Sequence, residues 1–178
     1  MNSRYLLTFV LMGLAATAGA ADNDPLATLP RHIALNAQQD VSGQPSVESI
    51  MKLRSAGVTT VINLRPASET PDLDEKAVAE KAGLTYHSLP IAGAAGLTRE
   101  NVARFDQLLK DSAGQHVLMH CASGNRVGAM MALRARWIEG KSEEEALAIG
   151  KASGMTHLTE AVKQRMEQES TGAPAPTR

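Results

Sequence analysis

VTTVINL, residues 58–64, restricts the fold more than any other segment of the chain: it is β-branched and nearly unbroken in its apolar character. A strand with one wet face alternates apolar and polar side chains, so this run fits a strand covered on both faces. The flanking sequence supplies the covers. QPSVESIMKLRSAG before it sets Val47, Ile50, Met51 and Arg54 on a helical period, with Ser46 as N-cap and Gly57 as stop. After RPASETPD, a loop with two prolines, LDEKAVAEKAG reads as a short helix ending at Gly83 and LTYHSLPI as a strand. RHIALN, residues 31–36, reads as the first strand. AGAAG, residues 92–96, is a bend, and Thr98 caps a helix with Val102, Phe105, Leu108 and Leu109 on one face. Gly114 ends that helix, and HVLMH, residues 116–120, is the next strand. Three further helices follow, over about 126–139, after a Ser142/Glu145 capping box, and over 159–169.

Strands alternating with helices predict an α/β domain: a mainly parallel central sheet flanked by helices. No internal repeat or domain-sized linker interrupts it. The expected organisation is a leader over 1–20, one domain over 21–170 and a frayed tail over 171–178. The leader carries Arg4, an apolar run from Leu6 to Ala16 too short to span a bilayer, and the small-residue site Ala18-Gly19-Ala20. It reads as a secretory signal peptide. The expected destination is the periplasm, with no membrane attachment after cleavage. Cleavage removes one of the 18 basic residues and none of the 19 acidic ones. With no basic stripe and few aromatic residues, nucleic-acid binding is not expected.

Cys121 is the one cysteine of the chain. An exported protein usually pairs its structural cysteines, and an unpaired one is either an apolar filler or a reactive thiol. Its surroundings favour the second. Cys121 ends a strand, and ligands of open α/β sheets bind beyond the carboxyl ends of strands. Ala122, Ser123, Gly124 and Asn125 form a tight loop before a helix that starts near Arg126. Loop amides and a helix N-terminus aimed at one point make an anion nest, whose positive potential favours the thiolate. Gly124 permits the positive φ of such a turn, and Arg126 offers a planar fork for a tetrahedral oxyanion. Nucleophile and anion clamp in one short segment suit attack on phosphate or on a sulfur oxyanion.

VLMHCASGNRVG resembles the signature of the cysteine-dependent protein tyrosine and dual-specificity phosphatases. GVTTVINLRPASE resembles the early strand and loop of that fold, YHSLPI the strand before its acid loop, and EGKSEEEALAIGKASG the helix after the signature helix. More narrowly, QPS, INLRP and the short Cys loop are similar to a bacterial phosphatase-like family. The resemblance implies an enzyme hydrolysing phosphate monoesters of a small molecule or phosphoprotein, without a cofactor. It implies Cys121 as nucleophile, Arg126 and the loop from Ala122 to Asn125 as the anion cradle, and His120 as a support of the loop. Arg65, at the end of VINLR, could add charge to the pocket.

The segment departs from the phosphatase signature in three respects. Cys121 and Arg126 enclose four residues rather than five, Val127 replaces a hydroxyl residue, and PIAGAAGLTREN lacks the Asp that protonates the leaving group. Glu69, Asp72 and Glu100 are possible substitutes, so the general acid is open. The four-residue spacing also resembles rhodanese loops, which leaves sulfur transfer as an alternative, and a non-catalytic anion-binding module as another. No metal is expected: His116 and His120 lie roughly 13 Å apart along a strand, and His32, His87 and His157 form no ligand pattern. Met130 and Met131 read as core filler, and Arg134 and Arg136 as solvated charges beside an inward Trp137.

Overall fold

Among the described residues five strands form one sheet: β1 (Ile33–Asn36), β2 (Gln39–Ser42), β3 (Thr60–Asn63), β4 (Thr85–Ser88) and β5 (Val117–His120). Their order is β1-β2-β5-β3-β4. β1 runs antiparallel to β2, and every other neighbouring pair is parallel. The computed structural model describes residues 24–170; the leader, its cleavage site and the tail lie outside the described residues. Among the described residues no helix is long and apolar enough to cross a membrane.

β5 is buried at all four residues, and its side chains divide between the two faces. Val117 and Met119, with Cys121 just beyond the strand, join Val41 and Ile62 in one core. Over that face pack α3 (Arg99–Asp111), α4 (Asn125–Trp137), α5 (Glu143–Ala152) and α6 (Thr159–Ser170), with Phe105, Met130, Leu133 and Val162 buried. Leu118 joins Val61 on the other face, under Ile50 and Leu53 and under Ala79 of α2 (Glu75–Lys81). Each large apolar side chain so buried contributes about 1.5–3 kcal/mol, so the double cover expected from VTTVINL accounts for much of the stability.

The helix starts follow from local chemistry. Ser46, Asp74, Thr98 and Ser142 each accept a hydrogen bond from a first-turn amide, and Ser142 with Glu145 completes a capping box. The helix after Ser46 differs from its expected face. Only residues 47–52, α1, are α-helical before a 3-10 turn over Leu53–Ala56. Ile50 and Leu53 are buried, while Val47 is 48% and Met51 42% exposed. The tightening of the chain at Leu53 makes the buried pair i, i+3 rather than the i, i+4 pair of Val47 and Met51.

The pattern of polar residues over 37–44 announces no strand, yet β2 occupies the position beside β5. Asp40 explains it. The residue is 2% exposed, and its carboxylate accepts from His32 Nε2 at 2.6 Å and from His116 Nε2 at 2.5 Å. Two partners satisfy a group that would otherwise be costly to bury. They also tie the β1–β2 hairpin to the start of β5. Among the described residues no group of three or more His, Cys, Asp or Glu is arranged to hold a metal ion. Arg134 is likewise not a solvated charge: its Nε donates to buried Asp106 on α3 at 2.8 Å, and its Nη1 to Glu139.

Candidate active site

The parallel register aligns Ser42 of β2, His120 of β5 and Asn63 of β3 across the sheet. The chain leaving each of these positions contributes to one site at the carboxyl edge. From β2 come Gly43 and Gln44, whose amide donates to the Ala122 carbonyl at 3.3 Å. Gly43 also bridges to Ser123. From β3 comes a segment with Leu64, Arg65 and a 3-10 turn over Ala67–Glu69. The segment after β4 contributes Ile91. β5 delivers Cys121, which is 1% exposed.

The loop turns at Gly124, whose φ of 83° lies in the left-handed region, where a Cβ would add strain. Gly124 is also the N-cap of α4, and no side chain caps that helix. In α1, α2, α3 and α5 a Ser, Thr or Asp oxygen takes a first-turn amide. In α4 the first-turn donors at Asn125, Arg126 and Val127 have no carbonyl one turn back, and the cap position supplies no oxygen. The positive end of the helix is therefore open to an external anion next to Cys121.

Arg126 is 13% exposed in its side chain and moored on three sides. Nη1 donates to the carbonyls of Leu64 and Ile91, both at 3.4 Å, and Nη2 donates to Glu69 Oε2 at 2.7 Å. These use three of the five guanidinium N–H groups. The remaining two, including Nε–H, suffice for a bidentate grip on an oxyanion. Arg65 packs beside it: Nε donates to the same Glu69 Oε2 at 3.1 Å, Nη2 to the Glu69 carbonyl at 3.0 Å and Nη1 to Gln44 Oε1 at 2.7 Å. The hydrogen bond from Arg126, joined by one from Arg65, outweighs partial burial and holds the Glu69 carboxyl below the usual carboxylate range.

On the opposite face His120, fully buried, contacts Glu75 rather than the loop: Nε2 lies 2.6 Å from Glu75 Oε1. Glu75 Oε2 accepts from Gln44 Nε2 at 2.9 Å and Asn63 Nδ2 at 3.3 Å. Burial pushes the Glu75 carboxyl up, but the bonds from His120 and Gln44 and the Arg65 charge bring it below its ordinary value. Glu75 is thus ionised, and His120 Nε2 is the donor. His120 Nδ1 has no partner among the described residues. Asn63 Oδ1 accepts the Arg65 amide at 2.7 Å, and Asn63 Nδ2 donates to Tyr86 at 2.9 Å. Gln44, Asn63, Arg65 and Glu75 thus link three segments under the site. The Asn125 side chain faces away from this network. Its Oδ1 accepts from the Thr156 and Leu158 amides at 2.7 and 3.3 Å, fixing the segment before α6.

Glu75 makes the acid side of stability testable. Its lowered folded-state value means that its contribution is complete above the unfolded value, about 4.3, and is lost as pH falls through the folded one. Glu75→Gln keeps the volume but turns an amide toward the donors Gln44 and Asn63. The urea midpoint of the variant is expected to fall below wild type near pH 7, and the gap to close as pH drops below about 4. A gap independent of pH would contradict the ionised Glu75.

Residues 36–173 match the family described as DSP-PTPase phosphatase fused to NAD+ kinase. The chain belongs to this family. The chain is also similar to the beta-lactamase hydrolase-like protein of Xylella fastidiosa (strain 9a5c), 33% identical over 129 residues. That match covers 70% of this chain and 29% of the relative, so the chain spans less than a third of that longer protein. Among solved structures, a DUF442 protein of Shewanella putrefaciens CN-32 superposes with a TM-score of 0.63 at 22% identity, covering 82% of this chain and 96% of its own. TpbA of P. aeruginosa, solved with phosphotyrosine, gives 0.55 at 21% identity, covering 85% and 90%. The DSP-PTPase fold expected from the sequence is the fold observed.

Of the residues singled out in the sequence, Cys121, Ala122, Ser123, Gly124, Arg126 and Arg65 meet at this edge. His120 stands behind it. Among the three acid candidates, Glu69 sits on Arg126, Asp72 is exposed, and Glu100 pairs with Arg104 on its own helix. Glu75 and Tyr86 escape the sequence reading. Nothing in LDEKAVAEKAG distinguishes a buried first-turn glutamate from the solvated ones beside it.

Proposed function

We propose that this chain is an exported cysteine-dependent phosphatase hydrolysing phosphate monoesters through a thiophosphate on Cys121. The observation that carries the reading is the uncapped N-terminus of α4, with a nucleophile three residues before its cap and a guanidinium in its first turn. The Cys121 thiolate attacks phosphorus, while Arg126 and the amides of residues 122–126 hold the equatorial oxygens as charge spreads over them. Water then attacks the thiophosphate and releases inorganic phosphate. The clamp is built to hold its shape without ligand, because backbone carbonyls of the segments that follow β3 and β4 moor Arg126. Family membership and fold support phosphate over sulfur chemistry. Phosphotyrosine, bound in the TpbA structure, is one substrate to try beside small phosphate esters. The leader supports export to the periplasm.

The test uses the reduced protein and p-nitrophenyl phosphate. Because the chain has one cysteine, an iodoacetate adduct seen by intact mass reports on Cys121. Hydrolysis is expected to disappear in step with a single adduct, and inorganic phosphate to slow both. Fully alkylated protein that still hydrolyses the ester would overturn the reading.

A further inference from the structure

The reaction above requires a proton for the leaving oxygen, and the segment after β4 has no acid in contact with the site. PIAGAAGLTREN contains one carboxylate, Glu100, which is paired with Arg104 on the surface of α3. The segment after β3, the strand between β5 and β4, places Glu69 on the anion clamp itself. Among the described residues no other carboxylate pairs with Arg126. Its two oxygens are differently engaged. Oε2 takes Arg126 Nη2 at 2.7 Å and Arg65 Nε at 3.1 Å, whereas Oε1 has no hydrogen-bond partner among the described residues. A third of the side chain is open to solvent, so Oε1 is available to a group entering the cradle.

We propose that Glu69 is the proton donor to the leaving oxygen and then the base that activates water, an assignment that rests on the phosphatase reading. In the free protein two guanidinium groups keep Glu69 ionised. A bound phosphoryl dianion changes that balance: it draws on the charge of Arg126 and brings negative charge beside the carboxylate. Both effects raise the proton affinity of Glu69, so substrate binding itself prepares the acid. As the Cys121 sulfur forms its bond to phosphorus, the phosphorus–ester oxygen bond breaks and its electron pair passes to that oxygen. The oxygen takes the proton from Oε1 and leaves as the alcohol. The carboxylate then accepts a proton from water as the water oxygen bonds to phosphorus. The sulfur–phosphorus bond breaks, and the thiolate is restored.

Glu69→Gln separates proton donation from mooring, because the amide oxygen can still accept from Arg126 and Arg65. The readout is the dependence of kcat/KM on the leaving group. Phenyl phosphate, whose phenolate is a poor leaving group, is expected to lose about 100-fold or more, the usual contribution of a general acid. p-Nitrophenyl phosphate leaves readily without a proton, and its loss is expected to be at least about tenfold smaller. Glu69→Asp, which keeps a carboxyl group, should fall between wild type and Gln in this selectivity, with thermal unfolding followed for both variants. Equal losses on both esters would make Glu69 a positioning residue and overturn the assignment, as would no loss on either. Hydrolysis that survives alkylation of Cys121 would instead overturn the phosphatase reading, an outcome read independently of the leaving-group trend.

Discussion

Cys121→Ser is expected to reduce hydrolysis of p-nitrophenyl phosphate by about four orders of magnitude or more, the scale seen when a covalent nucleophile is removed. The substitution is nearly isosteric, and Cys121 sits at the end of a buried strand inside the larger core, so the fold should be retained. A serine hydroxyl lacks the accessible anionic form of a thiol and has no adjacent general base to create one. Successive side chains of an extended segment point to opposite faces, so the His120 ring, which bonds Glu75, faces away from residue 121. The cradle made by α4 and Arg126 is untouched. The variant should therefore still bind phosphate, seen as a rise in melting temperature with added inorganic phosphate. Hydrolysis within tenfold of wild type would place the nucleophile elsewhere. Loss of hydrolysis together with loss of phosphate binding would mean that the thiol builds the cradle as well as attacking from it.

Gly128→Ala should have the largest effect on stability. Gly128 faces the end of α5, and a Cβ there would lie 2.2 Å from the Met155 nitrogen and 2.5 Å from the Gly150 carbonyl oxygen. Both are backbone atoms and cannot rotate away. The opposing surface is equally tight: a Cβ on Gly150 would stand 2.7 Å from the Ala132 methyl and 2.9 Å from the Gly128 oxygen. One methyl group thus forces α4 and α5 apart, and the surrounding contacts of Met130, Leu133, Ala146 and Met155 separate with them. Overpacking of a well-filled core costs about 1–3 kcal/mol; with backbone as the obstacle the upper end is expected. For a domain of this size that lowers the melting temperature by roughly ten degrees. A variant as stable as wild type would mean that the helices are not in contact at this point. Because α4 begins at the anion cradle, the same displacement is expected to weaken phosphate binding.

The segment around Cys121 was legible because its chemistry is local. A strand, a glycine turn and a helix start within ten residues specify a nest through backbone geometry alone, and Arg126 adds its fork from the first turn. The helix caps were legible for the same reason, since Ser46, Thr98 and Ser142 each act on the amide three residues away. β2 was not. Its polar run gains its place only through long-range pairing with β5 and through Asp40, whose partners His32 and His116 are separated from it by 8 and 76 residues.

What the sequence by itself determined is thus the α/β alternation, the helix starts and the strand–turn–helix geometry around Cys121, all governed by backbone periodicity and contacts between near neighbours. The tertiary structure alone decided which carboxylates matter. Glu69 and Glu75 lie six residues apart in a polar stretch with nothing to separate them by composition. One comes to rest on Arg126 and the other under His120. A charged group's role depends on which opposite charges and donors the fold brings within hydrogen-bond distance, and on how much water it excludes around them. Those quantities exist only once the sheet edge has assembled.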